Sequence, residues 1–378
     1  MRRLTVSPFF AVLPLVLTAC SDSGRAATIK ERDSAGIAIS LLPPVKSWPA
    51  QGALADSALV IFGVDAPAGT PALSGEYWIP VARLSDHSLV VGDKVRLFLF
   101  RDDGSLVDVI GRRGDGPGEF RDLRSICAGA GDTLLLVDDG RRMATIYDVA
   151  HRVGVRQFAT VQPVDPGACS SSLHALVRGL PVRGAAEDHP ATRFELLDKT
   201  GDTITEYSAL PTSYYGQYDL DPSFQFRADS LFVTDGQRME VRVYAPGGAL
   251  SRIVRVQESL DKAESGVSAV AAIPEFGSGT SAPEPSGGVR PNYKTFKLGS
   301  DGRFWFLTQV DGVTEGRWAA VSAKGLPIGT LTLPKRSGEL RVLQFLRDTV
   351  LVSEEREDGQ RELAKYRIRW SSLPPAGS

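Results

Sequence analysis

The residues best suited to chemistry in this chain of 378 residues cluster in one stretch, GRRGDGPGEF, from Gly111 to Phe120. Arg112 and Arg113 stand beside glycines at 114, 116 and 118, and backbone N–H groups bared by glycine can join guanidinium groups in a nest for a phosphate or carboxylate. The same residues suit a structural turn. Gly114, Gly116 and Gly118 accept positive φ or tight contacts, Pro117 fixes a bend, and Phe120 has a ring to bury. The turn is the primary expectation and anion binding the alternative. The spacing fits neither G-x-G-x-x-G nor a Walker loop, and no helix pattern follows it, so a nucleotide site is not expected.

Other reactive groups are dispersed. There is no G-x-S-x-G elbow, and His87, His151, His174 and His189 are too far apart for H-E-x-x-H or a linear zinc site. The acidic turns RDDG (101–104) and VDDG (137–140) hold possible calcium ligands but read first as β-turns. Neither a catalytic residue nor a metal ligand can be named from spacing, and no cofactor is evident. With a net charge of −2, the chain has no global bias toward nucleic acid, which is not expected as a partner.

The N-terminus speaks to location. Met1-Arg2-Arg3 is basic, and the apolar run from Phe9 to Leu17 is shorter than the roughly 20 residues a spanning helix needs, so residues 1–19 read as a signal peptide. Leu17-Thr18-Ala19-Cys20 resembles the lipobox of bacterial lipoproteins. That resemblance implies cleavage before Cys20, acylation of its thiol, and anchoring of an exported domain to the bilayer of the cell envelope, the outer one if the cell has two. Residues 20–45 read as a tether and N-terminal extension.

The positioning elements follow from composition and period. With 38 Gly, 24 Pro and only 3 Met, many short strands are favoured over helices. A motif with Asp before apolar residues recurs at Asp86, Asp132, Asp229, Asp301 and Asp348. The intervals 86 to 132 and 301 to 348 are 46 and 47 residues, and 132 to 229 is 97, about two units, with a degenerate copy at Ser172–Gly179 lacking the aspartate. Four short strands in each unit is the size of a propeller blade. Six units are expected, with inner strands near Pro80, Arg124, Ala168, Phe224, Phe296 and Val342. The last unit ends a strand short, and SALVIFGVDAPAG (57–69) has the pattern to complete it.

On GRRGDGPGEF and on RPNYKTFKLGSDGRFWF (290–306), the sequence resembles the six-bladed β-propellers related to NHL-repeat proteins, many of them bacterial lipoproteins. The implied fold is all-β, with four antiparallel strands per blade over residues 46–372, an insertion at about 259–291, and a disordered tail at 373–378. Cys127 and Cys169, 42 residues apart, then fall at similar positions on the first strands of consecutive blades, where a disulfide is feasible and two buried free thiols are the alternative. The expected function is a monomeric, membrane-anchored binding module for a protein or glycan. Some six-bladed relatives are calcium-dependent hydrolases of lactones or phosphoesters, so a calcium enzyme centred on the channel is the rival.

Overall fold

The computed structural model describes residues 29–63, 70, 73, 79–160, 164–181, 191–211, 223–234, 239–257, 295–311, 314–335, 338–357 and 359–371. Cys20, His189, the 259–291 insertion and the 373–378 tail lie outside them. The chain opens with strands β1 (Lys30–Ser34), β2 (Ile37–Leu42), β3 (Ala50–Leu54) and β4 (Val60–Phe62). Six antiparallel sheets follow in chain order. Their first strands are Val81–Arg83, Leu123–Ala128, Val164–Cys169, Ser223–Arg227, Phe296–Leu298 and Leu340–Phe345, close to the six positions expected from the repeat. The third unit forms a blade without its aspartate.

Blades 1 to 5 each supply four strands of their own, whereas blade 6 stops after its third, Arg361–Trp370. The missing strand is β4, which pairs antiparallel with it, Phe62 opposite Leu363 and Val60 opposite Lys365. Residues from the two chain ends thus complete one blade, and the third strand of blade 6 is partly covered where it would otherwise be an open edge.

The sequence did not reveal what precedes β4. Strand β2 adds in parallel to the fourth strand of blade 4, Ala38 opposite Arg252 through Leu42 opposite Val256, and β1 pairs outside it. Strand β3 adds in parallel to the fourth strand of blade 5 and also meets the end of blade 6's third strand. The N-terminal segment therefore wraps blades 4, 5 and 6 in turn, and ordered strands begin well before residue 46. Leu42 and Trp48 lock this wrap by burial against Val241, Val254, Phe296 and Phe304.

Six hydrophobic clusters fill the six seams between neighbouring blades, which makes the ring a closed β-propeller rather than a row of sheets. The seam between blades 5 and 6 is aromatic, with Trp305 stacked on Phe345 at 3.9 Å and 5°.

The recurring aspartates now have a physical role. Turns joining first to second and third to fourth strands share one face, here the turn face; the remaining connections form the loop face. Asp132 of blade 2 accepts hydrogen bonds from Ser85 N and Oγ of blade 1 at 2.8 Å each, and Asp229 of blade 4 accepts from Ser172 of blade 3 in the same manner. Asp86 instead caps its own turn through Ser88 N and Oγ. The repeat conserves its shape by tying turns within and across blades.

Candidate functional site

The Gly111–Phe120 loop lies on the loop face between blades 1 and 2. Gly111 has φ of +91°, and a Cβ there would stand 2.7 Å from the Phe120 ring. Gly118 is also left-handed, with φ of +72°. Phe120 is buried beside Leu123 and Ile126 in the seam between the two blades. The residues 112–113 and 119–120 pair as two short parallel strands, so the loop is folded back on itself.

That fold fills the nest from within. Glu119 Oε2 accepts from Gly116 N at 2.8 Å, and its Oε1 accepts from Arg112 Nε at 2.7 Å. The Gly116 bond, then Arg112, hold the Glu119 carboxyl below the usual carboxylate range. Arg121 pairs with Asp115, and Arg141 donates to the carbonyls of Asp115 and Glu119 at 3.0 Å. Buried Asp138 collects the N–H groups of Arg121, Asp122 and Arg141, stitching the loop to the hairpin beside it. The turn role is realised, and an anion entering the nest would have to displace Glu119. Sequence reading missed Glu119 as the occupant; the signal was its place three residues after Gly116.

Arg113 is exposed, as are Arg112, Arg121 and Arg142, while Pro117 and Gly118 form the exposed crest and Gly114 and Gly116 sit half-buried beneath. Further along the same face, Arg124 on the first strand of blade 2 pairs with Asp122 at 3.0 Å. Its counterpart on blade 6, Arg341, pairs with Glu339, which Arg361 also holds. Asp139 nearby has its carboxyl pushed up by burial, against the pull of Arg124.

Of the described carboxylates on this face, Asp115, Glu119, Asp122, Asp138 and Glu339 are therefore committed to arginines or backbone N–H groups. Among the described residues, no group of three or more His, Cys, Asp or Glu side chains could hold a metal ion. Three of the four acidic-turn carboxylates are already engaged: Asp102 is bound by Arg83 and Lys365, Asp103 caps Ser105, and Asp138 accepts from backbone N–H groups, while Asp139 is the half-buried fourth. His87, His151 and His174 each sit in a turn, His151 against Asp148 at 2.8 Å. Cys127 and Cys169 are joined across blades 2 and 3, with Cα atoms 5.9 Å apart.

A chain with six seams, six sheets and a strand exchanged between its ends belongs, as a class, to the six-bladed β-propellers. Comparison with known proteins agrees: a family model described as a 6-bladed beta-propeller matches residues 82–160, blades 1 and 2 with the glycine-rich loop between them. A solved structure from Bacteroides fragilis, described by assignment as an exported protein, is 10% identical, covers 88% of this chain and 100% of its own, and has a TM-score of 0.54. At that identity it shows the fold alone. The beta-propeller domain of Cps50 (Swd1) from Myceliophteria thermophila is 11% identical over 86% of this chain and 100% of its own, TM-score 0.41. A gluconolactonase from Xanthomonas campestris is 16% identical over 84% and 97%, TM-score 0.38. These two carry no argument about activity. No curated protein matches the chain.

Proposed function

We propose that this protein is an exported, lipid-anchored binding module, monomeric in itself, whose loop face recognises acidic groups on a protein or glycan of the cell envelope. The observation that carries the reading is exposed Arg113 and Arg142 on a loop and hairpin fixed by Glu119 and Asp138, while Arg112 and Arg121 are already paired with Glu119 and Asp115. Charges held on a rigid scaffold lose little freedom on binding and give specificity through complementarity. The commitment of the nearby carboxylates favours binding over the calcium-dependent hydrolase.

The anchor reading rests on the lipobox resemblance at Cys20. No helix long and apolar enough to cross a membrane occurs among the described residues, so in this account attachment comes through acyl chains, at roughly 0.8 kcal/mol per buried CH2. Lys30 pairs with Leu41 beside the end of blade 4's fourth strand, at the loop face. The ten residues from Cys20 to Lys30 reach at most about 35 Å, which keeps this rim near the bilayer.

The test is photo-crosslinking in intact cells from position 113 on the loop face and, as control, from exposed Lys199 on the turn face. The expected result is one envelope partner captured from position 113 and lost when exposed Arg142 becomes Glu. Equal capture from both positions, or capture insensitive to that charge, contradicts the reading.

A further inference from the structure

The blades are unequally covered at the outer rim. Strands β2 and β3 lie in parallel along the fourth strands of blades 4 and 5, and β4 closes blade 6, whereas among the described residues the sheets of blades 1, 2 and 3 end at their own fourth strands. The barest of these is Val153–Ala159 of blade 2, exposed without a break from 153 to 157. The fourth strands of blades 1 to 5 each carry a bulge at the same place, which leaves Val107, Val155, Ile204, Ser251 and Ile328 without an opposite residue. In blade 5, where β3 runs alongside, Ile328 is 0% exposed and clusters with Leu54 of β3. In blade 2 the described residues supply no such strand, and Val155 is 64% exposed with Val153 nearby at 50%. The outermost strand of blade 4's sheet, β1, carries Lys30, Glu31, Arg32 and Asp33, charges of the kind that keep an edge from pairing further. Val153–Ala159 carries one charged residue, Arg156.

We propose that the fourth strand of blade 2 is a docking edge for an extended segment of a partner protein. The segment pairs in parallel, as β2 and β3 do, lays apolar side chains on Val153 and Val155, and sets an acidic side chain opposite Arg156. Arg156 follows its bulge as Arg252 does in blade 4, where Ala38 of β2 stands opposite, so the same register is expected. Backbone pairing along the edge supplies affinity, and the alternate side chains supply choice of partner. A cross-strand pair of opposite charges adds a modest increment. The proposal does not rest on the loop-face arginines or on the anchor.

The test presents the full chain, purified in detergent, with a displayed library of random heptapeptides, and the selected peptides are resynthesised. The wild type is expected to enrich peptides that alternate apolar residues with an Asp or Glu, and to crosslink them from a photoreactive residue at position 153. Val155→Lys is expected to abolish saturable binding without a fall in Tm. Arg156→Glu is expected to weaken binding about fivefold, with recovery when the peptide's acid is replaced by Lys. N-methylation of alternate peptide nitrogens leaves every side chain in place, and on the paired side it is expected to remove binding. No enrichment, or peptides that bind Val155→Lys as well as the wild type, overturns the proposal. Concentration-dependent dimers of the wild type that Val155→Lys abolishes overturn it too, and assign the edge to a second copy of the chain.

Discussion

Glu119 decides the chemistry of the Gly111–Phe120 loop, because its carboxylate occupies the N–H and guanidinium groups that would otherwise face a ligand. Gly111 decides its shape. A methyl group there would strike the Phe120 ring in a backbone conformation unfavourable to any L side chain, so Gly111→Ala should cost about 1–3 kcal/mol in urea unfolding. Phe120→Ala should cost more, about 3–5 kcal/mol, since the ring fills the seam. Titration supplies a second expectation. Asp86, held by Ser88, and Glu119, held by Gly116, have lowered pKa values, as do Asp102 and Asp229, where hydrogen bonds and charge outweigh burial. Their stabilisation is present above the unfolded values near 3.8 for Asp and 4.5 for Glu and is lost as pH falls through the folded ones. Stability should stay level down to about pH 5 and drop below about pH 4. Asp139 has the opposite sign: burial raises its pKa, so protonation favours the fold, and Asp139→Asn should steepen the acid loss slightly while leaving neutral stability unchanged or higher.

At the scale of elements, the Cys127–Cys169 bond joins the first strands of blades 2 and 3. Reduction, or Cys169→Ser, should lower stability by about 2–5 kcal/mol, read as a fall in Tm that dithiothreitol reproduces in the wild type alone. The inner strands, the hairpins and β4 were legible because each carries a local signal: an apolar run, a turn residue, or a unit short of a strand. Strands β1 to β3 were not. IAISLL alternates well enough for a strand, but the edge it covers is the fourth strand of blade 4, more than two hundred residues later, and nothing local names that partner. The same holds for Asp132 and Ser85, whose bond exists only once two blades stand side by side. The glycine-rich loop announced its turn through its own residues.

For the whole molecule, the ring depends on its first residues. Deleting residues 57–63, which include β4, should open blade 6, expose the apolar seam against blade 1 and give aggregated protein. Deleting β1 and β2 alone should leave the ring closed but less stable, since Leu42 is lost from the core. Size-exclusion chromatography of the two deletions separates these outcomes. The same N-terminal segment would link the propeller to the bilayer, so anchoring and closure meet in one stretch of chain. The account stands most directly on Cys20, and mass spectrometry of the mature N-terminal peptide from fractionated cells tests it. A membrane-bound chain that begins at an acylated Cys20, released to the soluble fraction by Cys20→Ala, is the predicted result. A soluble chain that retains Met1, or an unmodified Cys20 in the membrane fraction, would contradict it.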